Sequence, residues 1–515
     1  MTLLERYCAW SIEELNDETG LYTEEKLMVA LDNIVTSKMG EKEIIKSFIQ
    51  VSLELTSQVE PRWQEIAAKL YVKNLYEEVR VNRGLEEGAN PYDNFYGFIK
   101  ELTDKGLYGK YILDNYSKED IEELEKEIKR ERDFLFTYSG INLLAKRYLV
   151  QDFNRLPLEL PQQMFMGIAM HLAIPEKKEK RLYWAKRFYD VLSSIKATMA
   201  TPTMSNARKP FYQLSSCFID TVDDSLAGIY KSLDNFSKVS KFGGGMGIYM
   251  GKVRALGSAI RGFKGASGGI IPWIKLFNDT AIAVDQLGVR NGSVAIWLDA
   301  WHKDLPEFLQ IRTNNGDDRK KAHDIFPGLC YPDLFWKLAE NDIDANWYMM
   351  CPHEIKTVKG YSLEDFYGEE WEKKYYECVE DDRIEKRVMS VKDIVRLIIK
   401  SAAETGTPFA FYRDTVNKFN PNKHKGMIYS SNLCTEIMQN MSAMEIEQTE
   451  IKDENGDVVV IEKTKPGDFV VCNLSSVVLG NVDVTSDEEV EYVVETQIRA
   501  MDNVIEIGRA SCRER

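Results

Sequence analysis

The sequence has no C-x-x-C pair among its eight cysteines, Cys8, Cys217, Cys330, Cys351, Cys378, Cys434, Cys472 and Cys512. That excludes zinc knuckles and thioredoxin-type motifs. Histidine is scarce: five are scattered along the chain without ligand spacing, so no metal site is expected here. No hydrophobic run is long enough to cross a bilayer. The opening "MTLLERYCAWSIEE" mixes charges with apolar residues and has no signal-peptide core. These absences lead us to expect a cytoplasmic protein with reduced thiols. An excess of positive charge is also missing. Lys and Arg total 66 against 82 Asp and Glu, giving a net charge of −16. A general nucleic-acid coat is thereby excluded. Nucleotides are not, since backbone N–H groups and a few arginines suffice for phosphate. Internal repeats and low-complexity linkers are absent as well.

What is present is a chain of 515 residues, too long for one ordinary core. Residues 1 to about 210 read as helical. "EKEIIKSFIQVSLEL" keeps Ile44, Ile45, Phe48, Ile49 and Leu53 near helical spacing, and "EIAAKLYVKNLYEEVR" does the same with Ile66, Leu70, Val72 and Leu75. "RLYWAKRFYDVLSSIK" predicts another amphipathic helix. The charged run "YSKEDIEELEKEIKRERD" reads as a solvated helix face. From "MATPTMSNARKPFYQLSSCFI" onward the helical period breaks. Strand-like runs "QLSSCFID", "GMGIYMG", "SVAIWLDA" and "DFVVCNLSSVVL" then alternate with helices such as "SLAGIYKSLDNFSKVSKF" and "SVKDIVRLIIKSAAET". That alternation predicts βα units and a largely parallel sheet or barrel, so an α/β class. Asn455-Gly456 predicts a tight hairpin turn. A final helix should open on a Ser486/Glu489 capping box and bury Val490, Val493, Val494, Ile498, Met501 and Val504 on one face.

The stretch "SNLCTEI" carries the chemistry. If extended, it points Asn432, Cys434 and Glu436 to one side, because strand side chains alternate. Two further cysteines sit in strand contexts beside serines: Cys217 in "LSSCFI" and Cys472 in "VVCNLSS". Any one of the three alone reads as a buried filler thiol. Together they allow a redox pair and a separate working thiol. Other motifs are weak taken singly. "KFGGGMGIYMG" is not a clean G-x-G-x-x-G and reads as a turn. Asp224-Ser225 reads as a helix N-cap, and Arg254 and Arg261 as surface charges. "CPH" at 351–353 lacks the partners a metal site needs.

The motifs in order, "TPTMSNAR", "QLSSCFI", "DDSLAGI", "GGGMGI", "VRALGSAIRG", "QLGVRNGS", "SNLCTEI" and "VVCNLSS", make residues 30 to 507 resemble the large, catalytic subunit of class I ribonucleotide reductases. The resemblance implies a helical N-terminal region followed by the first part of a ten-stranded α/β barrel with a central catalytic loop. The implied domains are 1–85, a partial ATP-cone-like helical region; 86–212, a helical domain; 213–507, the first part of the barrel; and 508–515, a tail that departs from the family pattern. Cys434 is implied as a transient thiyl radical that takes the 3′-hydrogen of a ribonucleoside diphosphate. Glu436 is implied as general base, Asn432 as a clamp on the sugar hydroxyls, and Cys217 with Cys472 as the dithiol that supplies two electrons. Thr201, Ser216, Gly245 and Asn432 match substrate-binding positions. Asp224, Ser225, Leu226, Arg254 and Arg261 match the deoxynucleoside triphosphate or ATP effector site, and Gln286 and Arg290 the loop that signals from it.

No cofactor is expected on this chain, since the radical comes from a metal-containing small subunit. Thioredoxin or glutaredoxin and a second copy of the chain are the other implied partners; membrane and nucleic acid are not. The resemblance also leads us to expect that the chain as given is inactive, lacking the later barrel, its tyrosine pair and the tail cysteines. A cobalamin-dependent reductase, which shares the three cysteines and the N-x-C-x-E loop, is the alternative. A catalytically dead nucleotide sensor is disfavoured by the intact Cys217, Asn432, Cys434, Glu436 and Cys472.

Overall fold

The computed structural model describes every residue except 1–2, 16–17, 33, 37, 285–291, 453, 466 and 514–515. The described chain forms two compact units, Met1–Leu214 with Leu474–Arg515, and Ser215–Asn473.

The first unit is helical. The three periodic stretches form the helices Glu41–Leu55, Trp63–Asn82 and Lys178–Ser193. Ile44, Ile45, Phe48 and Ile49 are buried on the first of these. The helix Pro161–Ala173 is buried on every side, because "PQQMFMGIAMHLA" carries no charged face to turn to water. The long final helix Asp487–Arg513 is capped by Ser486, whose Oγ accepts from the Glu489 N–H at 3.3 Å. Its buried face matches the predicted one in part, since Val490 and Met501 are half-buried against the core on the same side as Val493 and Val504. Val493, Ala500, Val504 and Ile507 are buried, whereas Val494 is 37% and Ile498 58% exposed. The buried set repeats every three to four residues as helix geometry requires, and polar contacts fix the same face. Arg187 Nε donates to Thr496 Oγ1 at 2.7 Å, and Asn503 Nδ2 to the Leu172 carbonyl at 2.9 Å. A short antiparallel pair, Ala197–Met199 with Ser475–Val477, completes this unit.

The second unit is built on a six-stranded mixed sheet in the order Val470–Cys472, Cys217–Thr221, Gly245–Tyr249, Val294–Asp299, Ile325–Tyr331, Phe409–Tyr412. Five strands run parallel, and Val470–Cys472 pairs antiparallel at one edge. The linear order leaves both edges unpaired among the described residues, so the sheet is open rather than a closed barrel. Strand alternation separates two apolar layers. Met246, Ile248, Ile296, Leu298 and Leu329 pack with Ile229 and Phe236 of helix Leu226–Lys241 and with Ile274 and Phe277 of helix Ile271–Ala283. Ile219, Tyr249, Ala295, Trp297 and Phe411 face the other way, onto Ile428, Tyr429 and Met441. Both faces are therefore covered, which is why these strands read as continuous apolar runs. The hairpin Glu445–Lys452 with Val458–Lys465 turns at Gly456, φ +86°.

Candidate active site

The segment from Met427 to Met441 lies on the second face of the sheet, its base closed by the Met441 N–H to the Met427 carbonyl at 3.2 Å. Close approach is made possible by glycine. A Cβ on Gly247 would stand 2.1 Å from the Ser431 carbonyl oxygen and 2.8 Å from Asn432 Cα. One on Gly245 would stand 2.9 Å from Leu433 Cδ2. The "GMG" of that strand is a groove into which the loop backbone settles. Gly245, expected to admit a nucleotide, here faces Leu433.

The tip of the loop is not extended. It turns through residues 433–435, with Thr435 at φ +72°. Asn432 is the cause: its Oδ1 accepts from the backbone N–H of Glu436 (3.1 Å) and of Ile437 (3.2 Å). Asparagine does this where its side chain replaces a backbone acceptor in a turn. Ser431 Oγ closes the turn on the Ile437 carbonyl at 2.8 Å. The expected one-sided row of Asn432, Cys434 and Glu436 is therefore corrected. Asn432 is fully buried, while Cys434 and Glu436 are exposed. Asn432 Nδ2 is buried beside the turn, facing Cys217.

The turn stands against the dithiol. Cys472 and Cys217 are directly opposed across the antiparallel edge pair, both as thiols. Opposed residues in such a pair have Cα atoms about 4.5–5.5 Å apart, within the range a disulfide spans. Cys217 Sγ donates to Glu436 Oε1 at 3.7 Å. Burial pushes the Cys217 thiol up to about 11, against the Ser216 hydroxyl and Asn432 amide that favour the thiolate; Glu436 and Cys472 add to the rise. Cys472 is raised too, by burial first and then by the Glu436 charge. Ser216 Oγ sits 3.3 Å from Cys217 Sγ. Ser215 Oγ donates to Asn473 Oδ1 at 2.7 Å, clasping the two strands just beside the cysteines. Sequence reasoning passed over Ser215 and Asn473, although each flanks the motif it singled out. Thr201 opens the helix Thr201–Asn206 in the helical unit, its Oγ1 3.3 Å from Tyr148 OH.

The effector candidates cluster at the head of helix Leu226–Lys241. Ser225 caps it, accepting from the Gly228 N–H at 3.0 Å, and Leu226 is 64% exposed. Asp224 is held by Arg254, whose Nε lies 3.1 and 3.0 Å from the two carboxylate oxygens and whose backbone N–H donates at 3.0 Å. His353 Nδ1, of the "CPH" motif, is 3.3 Å from Asp224 Oδ2. Beside this pair is a cavity of about 350 Å³ lined by Asp223, Asp224, Lys252, Arg254, His353 and Glu364, among others. Arg261 lies apart from it on an exposed turn at φ +51°. Gln286 and Arg290 lie outside the described residues. Cys330, Cys351 and Cys378 are fully buried packing thiols. Among the described residues no three His, Cys, Asp or Glu side chains converge as a metal site, and no helix is long and apolar enough to cross a membrane.

Two family models match the chain: "Ribonucleotide reductase, all-alpha domain" over residues 134–212 and "Ribonucleotide reductase, barrel domain" over 215–515. Among curated relatives, a ribonucleoside-diphosphate reductase subunit alpha of Treponema pallidum is 58% identical over 467 residues, 91% of this chain and 55% of the relative. Proteins of the same name from Helicobacter pylori strain 26695 (38% identical, 92% of this chain, 61% of the relative) and Synechocystis (36%, 93%, 58%) also match. The chain thus spans a little over half the length of these relatives. A barrel-domain match covering more than half the sequence, on a sheet that brings Cys217, Cys472 and the Asn432–Glu436 turn together, means that the chain belongs to the ribonucleotide reductase large-subunit family.

Proposed function

We propose that this chain carries the reductive half-site of the catalytic subunit of a ribonucleoside-diphosphate reductase, which makes 2′-deoxyribonucleotides for DNA synthesis. The observation that carries the reading is the opposition of Cys217 and Cys472, with Glu436 within reach of Cys217 Sγ and Cys434 two residues away on the same turn. Cys434 as a thiyl radical takes the ribose 3′-hydrogen and returns it at the end of the cycle. Glu436, exposed on the turn, is the general base that accepts the 3′-hydroxyl proton. Asn432, whose amide lies beside Cys217, would donate to a sugar hydroxyl. Cys217, held as a thiol by its raised pKa, is the proton source for the departing 2′-hydroxyl, which leaves as water. The dithiol loses two electrons to the sugar and becomes a disulfide, which thioredoxin or glutaredoxin reduces by exchange.

Ser216, beside Cys217, completes the substrate contacts in this reading. The radical arrives from a metal-containing small subunit, and the protein works in the cytoplasm as a homodimer. The relatives are named as subunits of ribonucleoside-diphosphate reductases, which favours this reading over a cobalamin-dependent one. Asp224, Ser225, Leu226, Arg254 and Arg261, with Gln286 and Arg290, form the allosteric effector site. Arginine suits it because its fork donates in pairs to phosphate oxygens.

Conversion of CDP to dCDP tests the reading, measured on whole-length protein with its small subunit and dithiothreitol. Wild type is expected to turn over, and Cys434→Ser, Cys217→Ser and Cys472→Ser to lose multiple turnover. Undiminished turnover by Cys434→Ser would overturn it.

A further inference from the structure

The stem of the catalytic turn is gripped on several sides. Asn417 bonds the Ile428 backbone in both directions, Nδ2 to the carbonyl at 2.9 Å and Oδ1 from the N–H at 2.9 Å. Cys330 Sγ donates to the Tyr429 carbonyl at 3.2 Å. The Tyr429 ring stacks on Tyr249, centroids 5.2 Å apart and planes 18° from parallel. Tyr249 OH donates to the buried Asp299, which in turn pairs with the fully buried Arg413. The Tyr429 ring also carries Lys252 Nζ, 4.3 Å from the centroid. Tyr429 OH donates to Asp365 Oδ1 at 2.6 Å, and Lys252 reaches the same oxygen at 3.0 Å. Lys252 also approaches Glu364 Oε1 at 3.3 Å.

Lys252 and Glu364 belong to a second setting as well, since both line the cavity beside Asp224 and Arg254. Glu364 is 3% exposed, and its Oε2 has no hydrogen-bond partner. One ammonium is thus shared between a cavity wall and the aromatic ring five residues before Cys434. A cation over a ring face is held by the ring's quadrupole, and it moves when a stronger counter-charge is offered. An anionic ligand in the cavity offers that charge.

We propose that Tyr429 is the positioning residue for the Asn432–Glu436 turn, and that Lys252 couples it to the Asp224–Arg254 cavity, so that a bound nucleoside triphosphate changes the setting of Cys434. This rests on the effector reading of that cavity. It supplies a path through the described residues that does not pass through Gln286 or Arg290. Coupling of this kind needs a direct test, because spatial continuity is not itself evidence of coupling.

The test is the rate of Cys434 alkylation by iodoacetamide in the chain as it stands, followed by peptide mass spectrometry with and without saturating dTTP. Calorimetry on the same samples measures dTTP binding. In wild type, dTTP is expected to change the Cys434 rate by about fivefold or more, the lower end of ordinary couplings. The buried Cys378, whose sulfur contacts Tyr361 and not the turn, should be unchanged in the same digest, which separates a moved turn from general loosening. Lys252→Met keeps the apolar stem but lacks the charge, and should abolish the dTTP-dependent change. Tyr429→Phe keeps the ring but lacks the bond to Asp365, and should reduce the change. It provides a second reading if Lys252→Met does not fold. Arg254→Ala should weaken dTTP binding about tenfold or more. If dTTP binds in an Arg254-dependent way but leaves the Cys434 rate alone, or if Lys252→Met keeps the full response, the coupling is overturned and the effector site stands. If dTTP does not bind, or binds Arg254→Ala equally well, the effector reading falls and the coupling with it.

Discussion

At the scale of single residues, the site is set by where charge meets burial. Cys217 lies under the turn with little water and with the Glu436 carboxylate at its sulfur, so its thiol is pushed up to about 11. In the proposed reaction this thiol delivers hydrogen to the leaving hydroxyl, which the thiolate cannot do. The pH–rate profile of Cys217 alkylation should therefore still be climbing at pH 10, unlike that of a free cysteine, whose pKa is about 8.5. Glu436→Gln removes the negative neighbour and should lower the apparent pKa, leaving it elevated because burial is the larger cause. A wild-type midpoint near that of a free thiol would contradict the geometry. Gly247 is the other residue with no substitute: any Cβ there would collide with the Ser431 carbonyl, which is backbone and has no rotamer to yield.

At the scale of elements, the buried helix Pro161–Ala173 brings Gln162 into a polar knot inside the helical unit. Asp133, fully buried, accepts from Tyr76 OH at 2.6 Å, from Tyr92 OH and from Gln162 Nε2 at 3.0 Å. Burial raises its pKa to about 6, and the three hydrogen bonds only partly offset it. The sign follows from linkage. A carboxyl whose folded pKa exceeds its unfolded value binds its proton more tightly when folded. It therefore contributes stability below about pH 3.8, which is lost as pH rises through 6. The contribution has an upper bound of about 3 kcal/mol, at 1.36 kcal/mol for each pK unit. Asp133→Asn removes the titration. Chemical unfolding at pH 4, 5, 6 and 7 should show a shallower fall for the variant, measured as the difference between the two proteins at each pH so that other groups cancel. Parallel curves would show that Asp133 is ionised at little cost in the folded state.

At the scale of the whole molecule, the second unit leaves apolar side chains uncovered on the outer helices. Leu226 and Tyr230 on helix Leu226–Lys241 are 64% and 51% exposed, and Ile282 on helix Ile271–Ala283 is 59% exposed. Tyr230 stacks edge-on with Trp273, so the two helices present one apolar surface. Such patches mark interaction sites, and in the homodimer reading a second copy covers this one. Sedimentation velocity should show a dimer for wild type and a shift to monomer for Tyr230→Glu. The unfolding free energy of the monomeric unit should change by no more than about 0.5 kcal/mol, as for other surface substitutions. A dimer that persists with Tyr230→Glu and with Ile282→Asp would move the interface elsewhere.

The sequence by itself determined many of the elements and the family. Helices Glu41–Leu55 and Trp63–Asn82 and strands Gly245–Tyr249 and Val294–Asp299 were legible because a period of 3.6 or an unbroken apolar run is a local property. Cys217, Cys434 and Cys472 were legible because their neighbours form motifs. Tertiary structure decided what depends on distant partners. The last helix buries Ala500 and exposes Ile498 because Arg187 and Leu172, more than 300 positions away, bond to Thr496 and Asn503. The strand Val470–Cys472 runs antiparallel, setting Cys472 against Cys217, because it joins the sheet at an edge with no helical crossover to impose direction. Lys252 meets Tyr429 only because the sheet carries both to one place. The turn at Cys434 lies between the two cases. The sequence analysis set Asn432 in an extended row, but an extended and a turned backbone compete closely in a short polar stretch. The choice fell to the groove over Gly247, where the loop backbone packs and only the turned form leaves Asn432 buried with its acceptor satisfied.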